Sequence, residues 1–186
     1  AVDNQGKTLG VGLPDEDWIS LRIFRIAGAV DEDWIHTLLD RAHALRAQVV
    51  DPETNAYRLV HGENDGLPGI RINWWSHYAD IVLDSPSLAP ILPWLVSWLE
   101  KTLAPRGVRL CYRPDARDSR DFAQVTPEPG WLSGRAPTNP IRVQERGLNF
   151  DVLLKNGPDV GLYTDMREVR AWLEPHWAGR RVLNTF

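Results

Sequence analysis

The clearest pattern of apolar and polar positions lies in residues 31–50, "DEDWIHTLLDRAHALRAQVV". The carboxylates of residues 31–33 fall where the first turn of a helix would be, and they favour its dipole there. The pattern predicts a helix, with His36 and His43 as half-exposed residues beside its buried face rather than as metal ligands. The apolar residues that recur at the spacing of one helix face are Trp34, Ile35, Leu38, Leu39, Ala42 and Leu45.

The following segment, residues 56–115, alternates between short apolar runs and turn residues. "AYRLVHGENDGLPGIRINWW" predicts a strand, a tight turn and a strand, and "YADIVLD" predicts a third strand. "SLAPILPWLVSWLEKTLAP" predicts a helix, with Pro90 and Pro93 tolerated only near its start, and "GVRLCYRPD" predicts another strand. The order β-β-β-α-β indicates a compact α/β layer domain. The predicted buried residues of this helix are Leu92, Leu95, Val96 and Leu99.

Three flanking segments have weaker patterns. Residues 1–27 read as extended structure, with a turn at residues 4–6 and alternating Ile19, Leu21 and Ile23. Because two or three strands cannot bury both faces alone, this segment is interpreted as the end of a β domain. "TPEPGWLSGRAPTNP" is rich in proline and glycine and predicts a linker, and "IRVQERGLNFDVLL" predicts a hairpin.

Composition limits the class of protein. The chain has 186 residues, of which 43% are hydrophobic and 25% are charged, values typical of a soluble globular protein. No apolar run approaches the roughly 20 residues of a membrane helix, and the first ten residues lack the features of a signal peptide. The single cysteine, Cys111, excludes an internal disulfide framework and favours a cytoplasmic location. Its strand context predicts a buried, unreactive thiol.

The charge pattern leaves RNA binding open. A net charge of −4 argues against a uniformly basic nucleic-acid binder but not against a local basic face. Nearly every positive charge is an arginine, whose planar fork suits phosphate, although the codon bias of a GC-rich genome explains this equally well. In "RPDARDSRD", residues Arg113, Arg117 and Arg120 are candidates for phosphate contacts with RNA; the alternative is a solvated surface of mixed charge.

Two other segments hold candidate chemistry. In "HGENDGLPG", His61, Glu63 and Asp65 could share one face of a strand and hold a metal, but turn formation explains the same residues. In "GLYTDMREVR", Gly161 frees the backbone, Tyr163 offers a ring with a hydroxyl, and Asp165 can cap a helix. Arg167 and Arg170 lie near one another on that helix and could clamp a small anion. The alternative is an ordinary capped helix with surface charges. Its inner face is predicted to comprise Met166, Val169 and Leu173.

Four segments together resemble a known family: "NAYRLVHGENDGLPGIRIN", "YRPDARDSRDF", "KNGPDVGLYTDMREVR" and "RRVLNTF". They are similar to S-adenosylmethionine (SAM)-dependent methyltransferases of the large-subunit rRNA methyltransferase I type. That family joins a PUA domain, a central α/β domain and a Rossmann-like methyltransferase domain. The resemblance implies a multidomain α+β and α/β fold, with a PUA remnant in residues 1–27. It also implies a central domain with linker in residues 28–140 and the start of the methyltransferase domain in residues 141–186.

The central motif of this family reads roughly "GQKTGFYLDQRxNR", and the corresponding segment here reads "GPDVGLYTDMREVR". Changes at residues 158–160, 164, 166 and 169 indicate a divergent subgroup. "VLNTF" resembles the first strand of the methyltransferase domain. The matching residues of the motif are Gly157, Gly161, Tyr163, Asp165, Arg167 and Arg170. The cofactor contacts that the resemblance implies are Gly161, Tyr163, Asp165, Arg167, Arg170 and Asn184.

The resemblance also implies an activity. Members methylate position 5 of cytosine in large-subunit rRNA: a cysteine thiolate adds to the ring, the activated carbon takes the methyl group of SAM, and a base removes a proton. The glycine-rich loop, the acidic residue for the ribose and the catalytic cysteine of this family would follow Phe186. The chain is therefore expected to be an internal piece of a longer cytoplasmic enzyme, inactive alone and homodimeric as many members are. A non-catalytic RNA-binding module and a degenerate methyltransferase remain alternatives.

Overall fold

The computed structural model describes residues 1–15, 19–113, 127–155, 158–181 and 183. Short 3-10 helices at Gly62–Asp65, Pro86–Ile91 and Thr164–Met166 connect some of the longer elements. The strands and α-helices follow in the order β1 (Val11–Pro14), β2 (Leu21–Arg25), α1 (Glu32–Val49), β3 (Ala56–His61), β4 (Ile70–Trp75), β5 (Tyr78–Leu83), α2 (Leu92–Leu103), β6 (Gly107–Tyr112), β7 (Gly130–Gly134), β8 (Ile141–Glu145), β9 (Leu148–Val152) and α3 (Arg167–Trp177).

A five-stranded mixed sheet, in the order β3-β4-β5-β6-β7, forms the centre of the fold. Strands β3, β4 and β5 form an antiparallel meander, β5 and β6 are parallel, and β7 is antiparallel to β6. Helix α2 makes the crossover that a parallel pair requires. Helices α1 and α2 cover one face of the sheet and enclose the main hydrophobic core. The predicted mixed α/β fold and its β-β-β-α-β order are confirmed.

The buried face of α1 is shorter than predicted. Ile35, Leu38, Leu39 and Ala42 are buried, but Leu45 is 47% exposed. The stripe continues one turn beyond Ala42 through Arg46, which donates from Nε to the backbone oxygen of Arg58 at 3.1 Å. Because Leu45 lies about 100° away from Arg46 on the helix, it faces solvent.

Helix α2 begins and packs as its sequence predicts. Pro90 lies inside the preceding 3-10 helix, and Pro93 lies in the first turn of α2, where a backbone N–H would have no partner within the helix. Leu92, Leu95 and Leu99 are buried, and Val96 is partly buried against the same core. The pattern missed Trp98, which is also buried and whose indole donates to Asp40 at 2.8 Å.

The segment between β3 and β4 uses its carboxylates to fix a turn. Asp65 accepts two hydrogen bonds of 2.7 Å from Arg46 and one of 2.6 Å from the backbone nitrogen of His61. Glu63 accepts from the backbone nitrogen of Gly69 at 3.1 Å. These hydrogen bonds show that Glu63 and Asp65 stabilise the turn, as the turn interpretation of this segment predicted. Within the described ranges, no group of three or more His, Cys, Asp or Glu side chains is placed to hold a metal ion.

Strands β1 and β2 pair as an antiparallel ribbon that is anchored through polar residues. The alternation of Leu21 and Ile23 belongs to a strand, as predicted, but these two side chains lie on its exposed face. The opposite face is buried, and there Arg22 donates from Nε to Asp15 at 2.7 Å. Ser85, at the end of the central sheet, donates to the same carboxylate at 2.6 Å. The ribbon is thereby joined to the central domain.

The predicted linker contains a strand. Residues 130–134 form β7, which pairs with β6, so the prediction was wrong for this part of residues 126–140. Glycine is required at Gly134, where φ is +69° and a Cβ atom would overlap the backbone oxygen of Arg106. The high glycine content therefore serves close strand pairing here rather than flexibility.

The predicted hairpin is confirmed as β8 and β9. Its two turn residues, Arg146 and Gly147, have φ values of +48° and +79°, as a tight two-residue turn requires. A second hydrophobic cluster, formed by Ala56, Trp75, Val143, Val152 and Leu154, packs this hairpin against the central sheet. In the part of the chain that the structure describes, no helix is both long enough and apolar enough to cross a membrane.

Candidate functional site

A row of polar side chains crosses four strands of the central sheet. Arg58 on β3 pairs with Asn73 on β4, Asn73 with Asp80 on β5, and Asp80 with Arg109 on β6. Arg58 donates from Nε to Asn73 Oδ1 at 3.1 Å. Sequence reasoning missed this row, although a polar residue within each of these apolar strands was the available signal.

Asp80 and Arg109 form a buried ion pair at one end of the row. Two hydrogen bonds of 2.8 Å join them, and the indole of Trp75 donates to Asp80 at 3.0 Å. Burial raises the pKa of Asp80, and the bonds from Arg109 oppose that rise only in part. Arg109 also donates to the backbone oxygen of Lys155 at 2.7 Å. The pair therefore fixes the chain just before the segment that resembles the family motif.

That segment and the sheet enclose two adjoining cavities of about 220 and 210 Å³. Arg58, Thr164 and Asp165 line both, so we treat the two cavities as one cleft. The remaining polar lining of the first cavity is contributed by Arg71, Asn73, Asp159 and Tyr163. The remaining polar lining of the second is contributed by Arg46, Tyr57, His61 and Arg167.

Four of the predicted site residues stand at or beside this cleft: Gly161, Tyr163, Asp165 and Arg167. Gly161 has φ of +81°, so its backbone uses the freedom that only glycine has at low cost, and its nitrogen donates to Asp159 at 2.9 Å. Tyr163 is 61% exposed, and its hydroxyl donates to Asp159 at 3.3 Å. Asp165 lies between the two cavities. The predicted freedom of the backbone at Gly161 is confirmed.

Helix α3 differs from its predicted form. Its N-cap is Met166, and no side chain makes a capping hydrogen bond, so the prediction that Asp165 caps this helix was wrong. The predicted inner face was also wrong: Met166 and Val169 are exposed, and Leu173 is only partly buried. The side of the helix that contains Arg170 faces the domain instead, because Arg170 forms an ion pair with Glu145 there.

Arg170 is held by the hairpin. It makes two hydrogen bonds of 2.7 Å to the buried carboxylate of Glu145 and one of 2.8 Å to the backbone oxygen of Tyr163. Arg167, three residues earlier, lines the cleft and donates from Nε to Glu168 at 3.2 Å. The two arginines are thus close in sequence but differ in role, since Arg170 fixes the motif and Arg167 faces the cleft.

One predicted RNA contact lies away from the cleft. The other two, and one predicted cofactor contact, fall outside the residues that the structure describes. Arg113 follows β6, and its guanidinium is 3.6 Å from Asp84. Arg117, Arg120 and Asn184 lie outside the described residues. The structure therefore brings Gly161, Tyr163, Asp165 and Arg167 together around the cleft, whereas the binding roles of all these residues remain predictions.

Comparison with known proteins gives a consistent result. The chain is 33% identical over 190 residues to "Ribosomal RNA large subunit methyltransferase I" of Shewanella denitrificans. This match covers 100% of the chain and 47% of the relative. The chain is related to the large-subunit rRNA methyltransferase I proteins. The protein of the same name from Alteromonas mediterranea is 32% identical over 188 residues, covering 99% of the chain and 46% of that relative.

The chain spans about half the length of these methyltransferase I proteins. No protein-family model matches it. Its fold resembles a crystal structure described as a methyltransferase in complex with SAH, with a TM-score of 0.76 at 17% identity. The similar region covers 92% of this chain and 43% of the other. The sequence comparison agrees with the family resemblance of the quoted segments, and the structural comparison agrees with the fold.

Proposed function

We propose that this chain is part of a SAM-dependent methyltransferase that acts on large-subunit rRNA. The observation that carries the proposal is the similarity of the whole chain, at 33% identity, to the "Ribosomal RNA large subunit methyltransferase I" of Shewanella denitrificans. The cleft supports it, because an arginine-rich lining suits an RNA substrate. A cytosine-5 product, a homodimeric enzyme and a cytoplasmic location belong to the same proposal, as do the three domain assignments of the sequence.

The residues around the cleft are of the kinds that would hold SAM. The exposed ring of Tyr163 can stack on an adenine, and the carboxylate of Asp165 can accept hydrogen bonds from ribose hydroxyls. The positive φ of Gly161 allows a close backbone approach. SAM would supply an activated methyl group, while these residues would bind and orient it. Arg167, Arg170 and Asn184 complete the proposed set.

The proposal is tested by methyl transfer with the complete gene product. We expect incorporation of label from radioactive SAM into unmodified large-subunit rRNA, with 5-methylcytosine found among the digested nucleosides. Tyr163→Ala should raise the KM for SAM, because one stacking contact is worth about 1–3 kcal/mol, or roughly 5- to 150-fold. Trp172→Ala is the matched control, since Trp172 is equally exposed, at 64%, but does not line the cleft.

A non-catalytic RNA-binding module is the second candidate, and the arginines that line the cleft favour it: Arg46, Arg58, Arg71 and Arg167. Such a module would bind rRNA with an affinity that falls steeply with salt but would transfer no methyl group. Salt-sensitive binding without incorporation of label would therefore reject the methyltransferase and support the module.

A further inference from the structure

Two arginines from neighbouring strands line the same cavity. Arg71 and Asn73 are alternate residues of β4 and so share one face of the sheet, and Arg58 is paired with Asn73 across β3 and β4. Both guanidiniums line the cavity of about 220 Å³ beside the motif segment. Both side chains are only partly exposed. The sheet therefore presents two positive charges to a partly open cleft.

These guanidiniums retain hydrogen-bonding capacity. Each has five N–H donors. Among the described residues, the bond from Nε to Asn73 is the one hydrogen bond that the Arg58 guanidinium makes. Arg71 donates from Nη2 to Asp84 at 2.6 Å, while its buried Nε has no acceptor in the described part of the chain. An oxyanion in the cavity would supply acceptors for such donors.

The charges around the cavity favour an anion with hydroxyl groups. Burial lowers the pKa of Arg58, and the positive charge of Arg71 lowers it further, while Asp165 opposes both effects. An anion between the two arginines would relieve their repulsion. Asp159 and Asp165 line the same cavity. Carboxylates repel a bare phosphate, but they accept hydrogen bonds from the 2′-hydroxyls that RNA has.

We propose that Arg58 and Arg71 bind a backbone phosphate of the substrate RNA within this cleft. This inference rests on the proposed function and names the place where its RNA substrate is held. The carboxylate of Asp159 then faces the sugar side of the same nucleotide, while Asp165 remains available to the ribose of SAM.

The test measures how the affinity of the complete protein for an rRNA fragment depends on salt. For single strands, each phosphate contact contributes about −0.7 to the slope of log K against log salt concentration. Because the two arginines contact one phosphate, replacing both by alanine should reduce the magnitude of the slope by about 0.7, and Arg58→Ala or Arg71→Ala alone should reduce it by less. Arg58→Lys should retain the slope but bind more weakly, because it keeps the charge and loses the fork. Arg142→Ala is the matched control, since it removes an exposed arginine of the hairpin that pairs with Asp151.

The outcomes are distinct. Slopes for Arg58→Ala and Arg71→Ala equal to that of Arg142→Ala, in a protein that still methylates RNA, would overturn this inference alone. Absence of both RNA binding and methyl transfer in the wild type would overturn the proposed function and this inference with it. Titration with inorganic phosphate is a further arm: tight phosphate binding that Arg58→Ala abolishes, with unchanged RNA affinity, would also overturn it. Circular dichroism of Arg58→Lys checks that the fold is retained.

Discussion

Replacing Arg109 by methionine should destabilise the fold strongly, because it leaves the carboxylate of Asp80 buried without a counter-charge. The side chains of Asp80 and Arg109 are 0% and 3% exposed. Breaking a buried ion pair by removing one partner costs about 3–5 kcal/mol. For a chain of 150–250 residues, 1 kcal/mol lowers Tm by about 2–4 °C, so we expect a decrease of roughly 6–20 °C.

The same variant should acquire a characteristic pH dependence. Burial already raises the pKa of Asp80, and the bonds from Arg109 counter that rise. Without them the folded-state pKa rises further, so the folded protein retains a proton that the unfolded chain releases. Stability that depends on this proton is present below the unfolded-state pKa and is lost as pH rises through the folded-state pKa. Arg109→Met should therefore regain stability relative to the wild type as pH falls.

Urea unfolding followed by tryptophan fluorescence gives the free energies, since the chain has 9 tryptophans. Arg142→Met is the control and should change little, because Arg142 and Asp151 form an exposed pair. Asp80→Leu combined with Arg109→Met should recover part of the loss, since an apolar pair removes the unpaired charge. The recovery is incomplete because Trp75 and Lys155 lose their partners. A loss below about 1 kcal/mol for Arg109→Met, without a pH effect, would refute the reasoning.

Substitutions at Arg46 and at two glycines test other parts of the fold. Arg46→Met removes a bidentate ion pair with Asp65, whose side chains are 12% and 7% exposed, and should cost about 1.5–3 kcal/mol in urea unfolding. An unchanged midpoint would show that the turn before β4 does not depend on this pair. Gly134→Ala should be more destabilising than Gly161→Ala: both glycines have positive φ, worth about 1–2 kcal/mol, but only at Gly134 would the new methyl group overlap backbone atoms. Equal losses of thermal stability would contradict the close approach of β7 and β6.

The central domain could be predicted from sequence because its signals are local. The periodicity of residues 31–50 specified α1, and short apolar runs between turn residues specified β3, β4 and β5. Strand β7 was missed because proline and glycine predict a break, whereas its pairing with β6 depends on residues 20 or more positions away in the sequence. The amino-acid composition of this segment gives no information about which strand it pairs with.

The residues of the candidate site could be predicted from sequence only where they belong to the family motif. Tyr163 and Asp165 line the cleft, and Gly161 lies beside it in the same continuous segment. The opposite wall was missed, because Arg58 and Arg71 belong to different strands and meet only through the register of the sheet. The orientation of α3 was also missed, since Glu145, which binds Arg170, is 25 residues away. Pairings at such distances are properties of the tertiary structure.

The order of strands in the central sheet has a consequence for folding. Because β3, β4 and β5 are joined by short turns, this meander can form early, whereas β6 must wait until α2 has crossed the sheet. During that interval the edge of β5 is open and Asp80 has not met Arg109. A carboxylate on an open edge strand discourages pairing with another chain. Asp80, whose charge is paired with Arg109 in the folded protein, would thus protect the partly folded chain from aggregation.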